Sequence, residues 1–213
     1  MQILAHRGCW GNRVPRNSEK ALRQALESGF GFESDVRDYQ GRMVISHNIA
    51  DETSPKAEQI FSWLHDFGDR YTFAVNIKAD GLKEILRDYV QKYEIARYFL
   101  FDMSVPQMVE FADMGLRFFT RRSEVEPTPV MLDKAAGVWI DGFWSTEWIT
   151  EAVLAGYLDD GKEVCLVSPD LHGKTDYSIF WDRLRGMDLD MSHMLLCTDH
   201  PLEARKFFEE GSN

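Results

Sequence analysis

Short apolar runs alternate with amphipathic segments of helix length along this chain, and that alternation limits its fold more than any other feature. The apolar runs fall at 3–6, 32–37, 43–47, 72–78, 98–102, 117–121, 138–141, 163–168 and 194–199. Helical periodicity appears at 18–28, 57–67, 82–93, 105–113, 130–134, 147–155, 177–184 and 202–210. Asn17 stands where an N-cap belongs before the first helical segment, and Gly29 follows it as a stop. Gln40-Gly41 marks a turn, which makes 43–47 the hairpin partner of 32–37. Strands that alternate with helices imply parallel pairing, and eight such units imply a closed TIM (β/α)8 barrel. A doubly wound open sheet is the other architecture that this order permits. At 213 residues the barrel is compact, because about 250 is typical. No linker or shift of composition divides the chain, so 1–213 is expected to form one domain.

Composition bears on what the barrel can bind. Twenty-four basic residues face 35 acidic ones, a net charge of -11, which opposes steering toward nucleic acid or anionic lipid. No apolar run approaches the ~18 residues of a membrane span, and no charged-then-apolar leader precedes the first strand. A cytoplasmic protein without membrane insertion is therefore expected. Cys9, Cys165 and Cys197 are odd in number and lack metal-type spacing. The last two lie inside apolar runs, where buried thiols are expected.

The ends of the strands carry the chemistry. The runs stop on His6, on Asn76 and Lys78, on Asp102, on Arg121, on Asp141, on Ser168 and on Thr198-Asp199. In a barrel such ends converge on one mouth. Glu33 and Asp35 are two apart in the second run, so both point to one face of a strand. Flanked by Phe32 and Val36, that face is expected to be shielded from water. Paired carboxylates there repel unless a cation or proton sits between them. Hard oxygen ligands at that spacing suit one divalent cation, Mg²⁺ or Ca²⁺. A surface-facing acidic pair on an edge strand is the alternative. His6 and His47, each at a strand end, suit one general base and one general acid beside such an ion. Arg7 adds a cationic fork suited to phosphate.

Taken in order, His6-Arg7-Gly8, Pro15-x-Asn17-Ser18, Glu33-x-Asp35-Val36-Arg37, Val44-x-Ser46-His47 and Asn76-Ile77-Lys78 resemble the glycerophosphodiester phosphodiesterases. That family lies within the phospholipase C-like phosphodiesterase group. Cys197-Thr198-Asp199-His200-Pro201 resembles its terminal strand and turn. The resemblance implies a TIM barrel that cleaves a small phosphodiester with one divalent ion. By similarity His6 and His47 form the acid–base pair, Arg7 and Lys78 touch the phosphate, and Glu33 and Asp35 hold the metal. Asn76 occupies the place of a third metal ligand, where the family usually carries glutamate. The chain also departs from the family at Arg16, where glutamate is usual, at Asn48, where aspartate is usual, and in lacking a downstream Arg-Thr-Thr segment.

Two other outcomes stay open beside hydrolysis: a lyase that stops at the cyclic phosphate, as sphingomyelinase D-like relatives do, and a non-catalytic phosphate or sugar-phosphate binding protein. Trp10, Trp139, Phe143 and Trp144 lie at or just past strand ends, where they could wall a substrate pocket. Core packing is the alternative for Trp139. His172 and Asp170, past the seventh strand of the barrel, could reach substrate. Asp102 and Asp141 are expected to orient basic side chains.

Overall fold

The structure is a computed structural model that describes residues 1–68 and 70–210. Its first half runs β1 (Gln2–His6), α1 (Glu19–Glu27), β2 (Gly31–Tyr39), β3 (Arg42–Ile45), α2 (Ala57–Phe67), β4 (Phe73–Ile77), α3 (Lys83–Lys92), β5 (Tyr98–Phe101) and α4 (Val105–Asp113). The second half runs β6 (Phe119–Ser123), β7 (Gly137–Asp141), α5 (Glu151–Asp159), β8 (Glu163–Val167), α6 (Tyr177–Arg185), β9 (Met194–Thr198) and α7 (Pro201–Glu210). Short 3-10 turns cover Pro169–His172 and Met191–His193. One sheet has the order β5-β4-β2-β1-β9-β8-β7-β6, and β3 pairs with β2. With β3 set aside, strands that are consecutive along the chain are neighbours except β5 and β6, which end the order, with Leu100 of β5 in an isolated parallel bridge to Phe118; this is an α/β TIM-barrel fold. Among the described residues no helix is long and apolar enough to cross a membrane.

The chain gathers into two compact units: Ala5–Phe118, and Met1–Leu4 with the residues from Phe119 onward. In the first, β2 pairs in parallel with β4, β4 with β5, and β3 antiparallel with β2. Residues 31–36 are all buried, so both faces of β2 are covered. Phe32 packs 4.8 Å from Phe73, and Phe61 of α2 packs edge-on to Phe73 at 5.5 Å. Helix α1 buries Ala21, Leu22, Ala25 and Leu26, the stripe that helical spacing predicts. Gly8 meets the start of that helix so closely that a Cβ there would lie 2.5 Å from the Ala21 carbonyl carbon, and its φ is +84. The glycine of the His-Arg-Gly turn is thus needed twice over.

The second unit sets β6, β7, β8 and β9 in parallel. Cys165 and Cys197 are buried, as their apolar runs suggested. Trp181 of α6 is fully buried, and its indole donates to Ser168 Oγ at 2.9 Å.

Several local expectations are corrected. Ser18, not Asn17, caps α1: its φ and ψ are extended and its hydroxyl accepts from the Ala21 N–H, whereas Asn17 is left-handed at φ 60. Residues 130–134 form turns, not a helix, because Met131 at φ 56 breaks a right-handed path. Helix α5 starts at Glu151 because the Thr150 hydroxyl accepts from the Val153 N–H. Strand β3 stops at Ile45, so His47 lies in the loop beyond it.

Candidate functional site

Strand ends of the Ala5–Phe118 unit bring His6, Arg7, Glu33, Asp35, Asn76, Lys78 and Asp102 together. The parallel register sets Asp35 beside Asn76 and Asn76 beside Phe101, the residue before Asp102. Two of these positions, Arg7 and Asp102, and Asn17 nearby have φ values of 56, 63 and 60 without being glycine. Such backbone is costly and clusters where function over-determines it.

Asp35 is the hub. It is fully buried. Its Oδ2 lies 3.2 Å from Arg7 Nε and accepts from Asn17 Nδ2 at 2.8 Å, while Oδ1 lies 3.4 Å from Lys78 Nζ. Asn17 is itself held by the Ser34 hydroxyl, which donates to its Oδ1 at 2.8 Å, and by its backbone N–H, which donates to the Arg7 carbonyl at 3.0 Å. Asn17 is therefore a latch that closes the loop after β1 onto β2. The sequence signal for it was the Asn-Ser pair, read there as a cap.

Glu33 sits on the same face of β2 and is 2% exposed. Its carboxylate accepts from the Arg7 N–H at 3.3 Å and lies 3.8 Å from His6 Nε2. Burial pushes its carboxyl well above the ordinary value, and the charge of Asp35 pushes it further. Arg7, Lys78 and a hydrogen bond from the Asn76 side chain oppose that rise. The Asn76 amide also donates from Nδ2 to Asp102 Oδ2 at 3.1 Å, and Asp102 lies 4.0 Å from Lys78 Nζ. Asn76 is 7% exposed, and its Oδ1 is buried without a hydrogen-bond partner among the described residues. Among those residues no three histidine, cysteine, aspartate or glutamate side chains form a cation cage. The oxygens that could hold a hard cation are those of Glu33 and Asp35 and the open amide oxygen of Asn76. Three carboxylates, Glu33, Asp35 and Asp102, face two cationic side chains, Arg7 and Lys78. With Glu33 ionised the cluster is net negative, a balance that favours a divalent cation and disfavours a bare anion.

His47 is exposed, and its ring bonds Asn48 Oδ1 at 3.1 Å. Its loop is tied to the hub, because the Ser46 N–H donates to the Asp35 carbonyl at 2.9 Å. Trp10 donates from its indole to the His6 carbonyl at 3.0 Å, and the Arg16 guanidinium lies 3.8 Å over its ring. One face of that indole is thus already covered.

The second unit has its own polar groups at strand ends. Trp139 is buried within β7, between Arg121 of β6 and Cys165 of β8 in register. His172 Nε2 lies 2.6 Å from Asp141 Oδ1, and its ring meets Phe143 edge-on at 5.3 Å. Asp141 thus holds a histidine. Asp170 Oδ2 accepts from the Thr198 hydroxyl at 2.9 Å and from the Asp199 N–H at 2.7 Å.

No family model matches the sequence, and no curated protein matches it. Solved structures match its fold over nearly the whole length. A glycerophosphodiester phosphodiesterase from Parabacteroides distasonis is 18% identical with a TM-score of 0.67, covering 100% of this chain and 98% of the other. One from Agrobacterium tumefaciens is 17% identical with a TM-score of 0.66, covering 98% and 99%. An Oleispira antarctica phosphodiesterase in complex with the product sn-glycerol-3-phosphate is 13% identical with a TM-score of 0.69, covering 98% and 97%.

Proposed function

We propose that this chain is a phosphodiester hydrolase that depends on one divalent cation, Mg²⁺ or Ca²⁺, and acts on a small glycerophosphodiester-like substrate. The observation that carries the reading is the pairing of Arg7 and Lys78 on the buried Asp35, beside a Glu33 carboxyl that burial and Asp35 destabilise as an anion. Two cations held by one carboxylate are ready to exchange it for a phosphate. The fold shared with glycerophosphodiester phosphodiesterases, and with a phosphodiesterase that holds the product sn-glycerol-3-phosphate, supports the same substrate class.

In this reading Glu33, Asp35 and the Asn76 amide oxygen hold the cation, which supplies charge stabilisation on the phosphoryl oxygens when bound. Arg7 and Lys78 bind and orient the phosphodiester. His6, kept in place by the covered end of β1, moves one proton at Nε2, the nitrogen that faces Glu33. His47, on the loop tied to Asp35, is proposed for the second proton, at the opposite end of the scissile bond. The outer face of Trp10 is proposed to pack on the substrate alcohol.

Turnover of bis(p-nitrophenyl) phosphate, with Mg²⁺ or Ca²⁺ and then with chelator, tests the reading. Wild type is expected to turn over only with cation, and His6→Ala or His47→Ala to lose ~10²-fold or more. Unchanged turnover in chelator would remove the cation from the reading. Full activity in His47→Ala would remove His47 from it.

A further inference from the structure

We propose that Asp102 is a further anionic member of the cation site beside Glu33 and Asp35, acting through the Asn76 amide and not as a direct ligand, so that the site's charge is shared between β2 and the end of β5. The inference rests on the cation-dependent reading above and adds a residue and a charge layout to it.

The layout follows from how the carboxylates are occupied. Asp35 already carries Arg7, Lys78 and Asn17, at 3.2, 3.4 and 2.8 Å. It contributes oxygen atoms but little unbalanced charge. Glu33 has a weaker contact, 3.8 Å to His6. Glu33, an Asp35 whose charge Arg7 and Lys78 already match, and one amide are a thin charge supply for a divalent ion, which prefers several oxygens of which more than one is anionic. The next carboxylate within one hydrogen bond is Asp102, 3.1 Å from Asn76 Nδ2. Its backbone is left-handed at φ 63, an uncommon conformation for an aspartate that turns the chain just after β5. Its side chain is 17% exposed.

Asn76 suits the joining role because it is neutral. Its N–H groups serve Asp102 and the Glu33 carboxylate, while its Oδ1 stays buried and without a hydrogen-bond partner among the described residues. A carboxylate in that place would face two others. Lys78 then links the site to its ligand. It lies 3.4 Å from Asp35 and 4.0 Å from Asp102, so a phosphate that draws Lys78 away uncovers both carboxylates at once. Cation and phosphate therefore bind cooperatively, and the coupling is reciprocal.

The test is calorimetric titration of Mg²⁺ and of Ca²⁺ into wild type, Asp102→Asn, Asn76→Glu and the double variant, all without substrate. Asparagine at 102 can still accept from Asn76, so the substitution removes charge with little loss of shape, and melting in chelator checks that each protein is folded. Asp102→Asn is expected to bind cation about tenfold more weakly. Adding Asn76→Glu, which puts the charge back one strand away, is expected to restore affinity to within about threefold of wild type. A purely structural role for Asp102 would instead lower the melting temperature in chelator and leave cation affinity unchanged. Wild-type affinity in Asp102→Asn, or a double variant as weak as the single one, would overturn this inference and leave the cation reading standing. Failure of wild type to bind either cation at millimolar concentration would overturn both.

Discussion

Asp35 within β2 and Asp170 in the turn after β8 are both buried aspartates, one in each compact unit, and the protein satisfies them in opposite ways. Asp35 is surrounded by groups that can leave: the Arg7 guanidinium, the Lys78 ammonium and the Asn17 amide. Asp170 is held by groups that cannot, the Thr198 hydroxyl and the Asp199 backbone N–H. The first arrangement is electrostatic and exchangeable, because a phosphate offers the same two cations the same charge. The second ties the 3-10 turn after β8 to the end of β9. Burial alone does not distinguish a working carboxylate from a structural one; the mobility of its partners does.

The same substitution at both positions should break the likeness most sharply. Asp35→Asn keeps one accepting oxygen but turns an amide N–H either toward Lys78 or toward Arg7 and Asn17, donors in both cases, and leaves two cations without their buried counter-charge, so it should cost about 3–5 kcal/mol of stability by urea unfolding. In Asp170→Asn one oxygen still accepts from Thr198 and Asp199, while the amide takes the place of Oδ1, which has no hydrogen-bond partner among the described residues. The change should stay within about 1 kcal/mol. Equal costs would mean that Asp35 is no more charge-dependent than Asp170.

His6→Ala should lower turnover ~10²-fold or more while the protein melts near the wild-type temperature. A loss matched by an equal fall in stability would recast His6 as packing.

Glu33 gives a pH test. Its folded pKa is raised above 4.5, so over the window from 4.5 up to the raised value the folded protein keeps a proton that the unfolded chain has released. That contribution to stability is complete below 4.5 and is lost as pH rises through the folded pKa. In chelator, wild type should lose melting temperature as pH climbs through the window, and Glu33→Gln should lose less. Parallel curves would contradict the raised pKa. The smallest effect expected is from Ser18→Ala, about 1 kcal/mol from the lost cap of α1.

Much of the fold was legible because short apolar runs differ from helical periodicity, and β4 and β8 are such runs, buried almost throughout. Two of the errors came from single backbone angles. Nothing in the side chain of Met131 announces φ 56, and Asn17 is as good a cap by type as it is a latch by geometry. The site was legible as a set of residue types at strand ends, since Glu33 and Asp35 had to share a face. What pairs with them was not legible: that Arg7 and Lys78 meet on one carboxylate, or that His172 finds Asp141, depends on register between strands far apart in sequence. Asn76 shows the limit best. As a residue type it reads as a weak ligand, and only its neighbours reveal an amide spanning two carboxylates.

Product analysis by phosphorus NMR tests the central claim most directly. A glycerophosphodiester is incubated with the protein and Mg²⁺ or Ca²⁺, and separately with chelator. The proposal predicts a phosphate monoester that appears only with cation. A cyclic phosphate that accumulates, equal monoester formation in chelator, or intact substrate with either cation would contradict it.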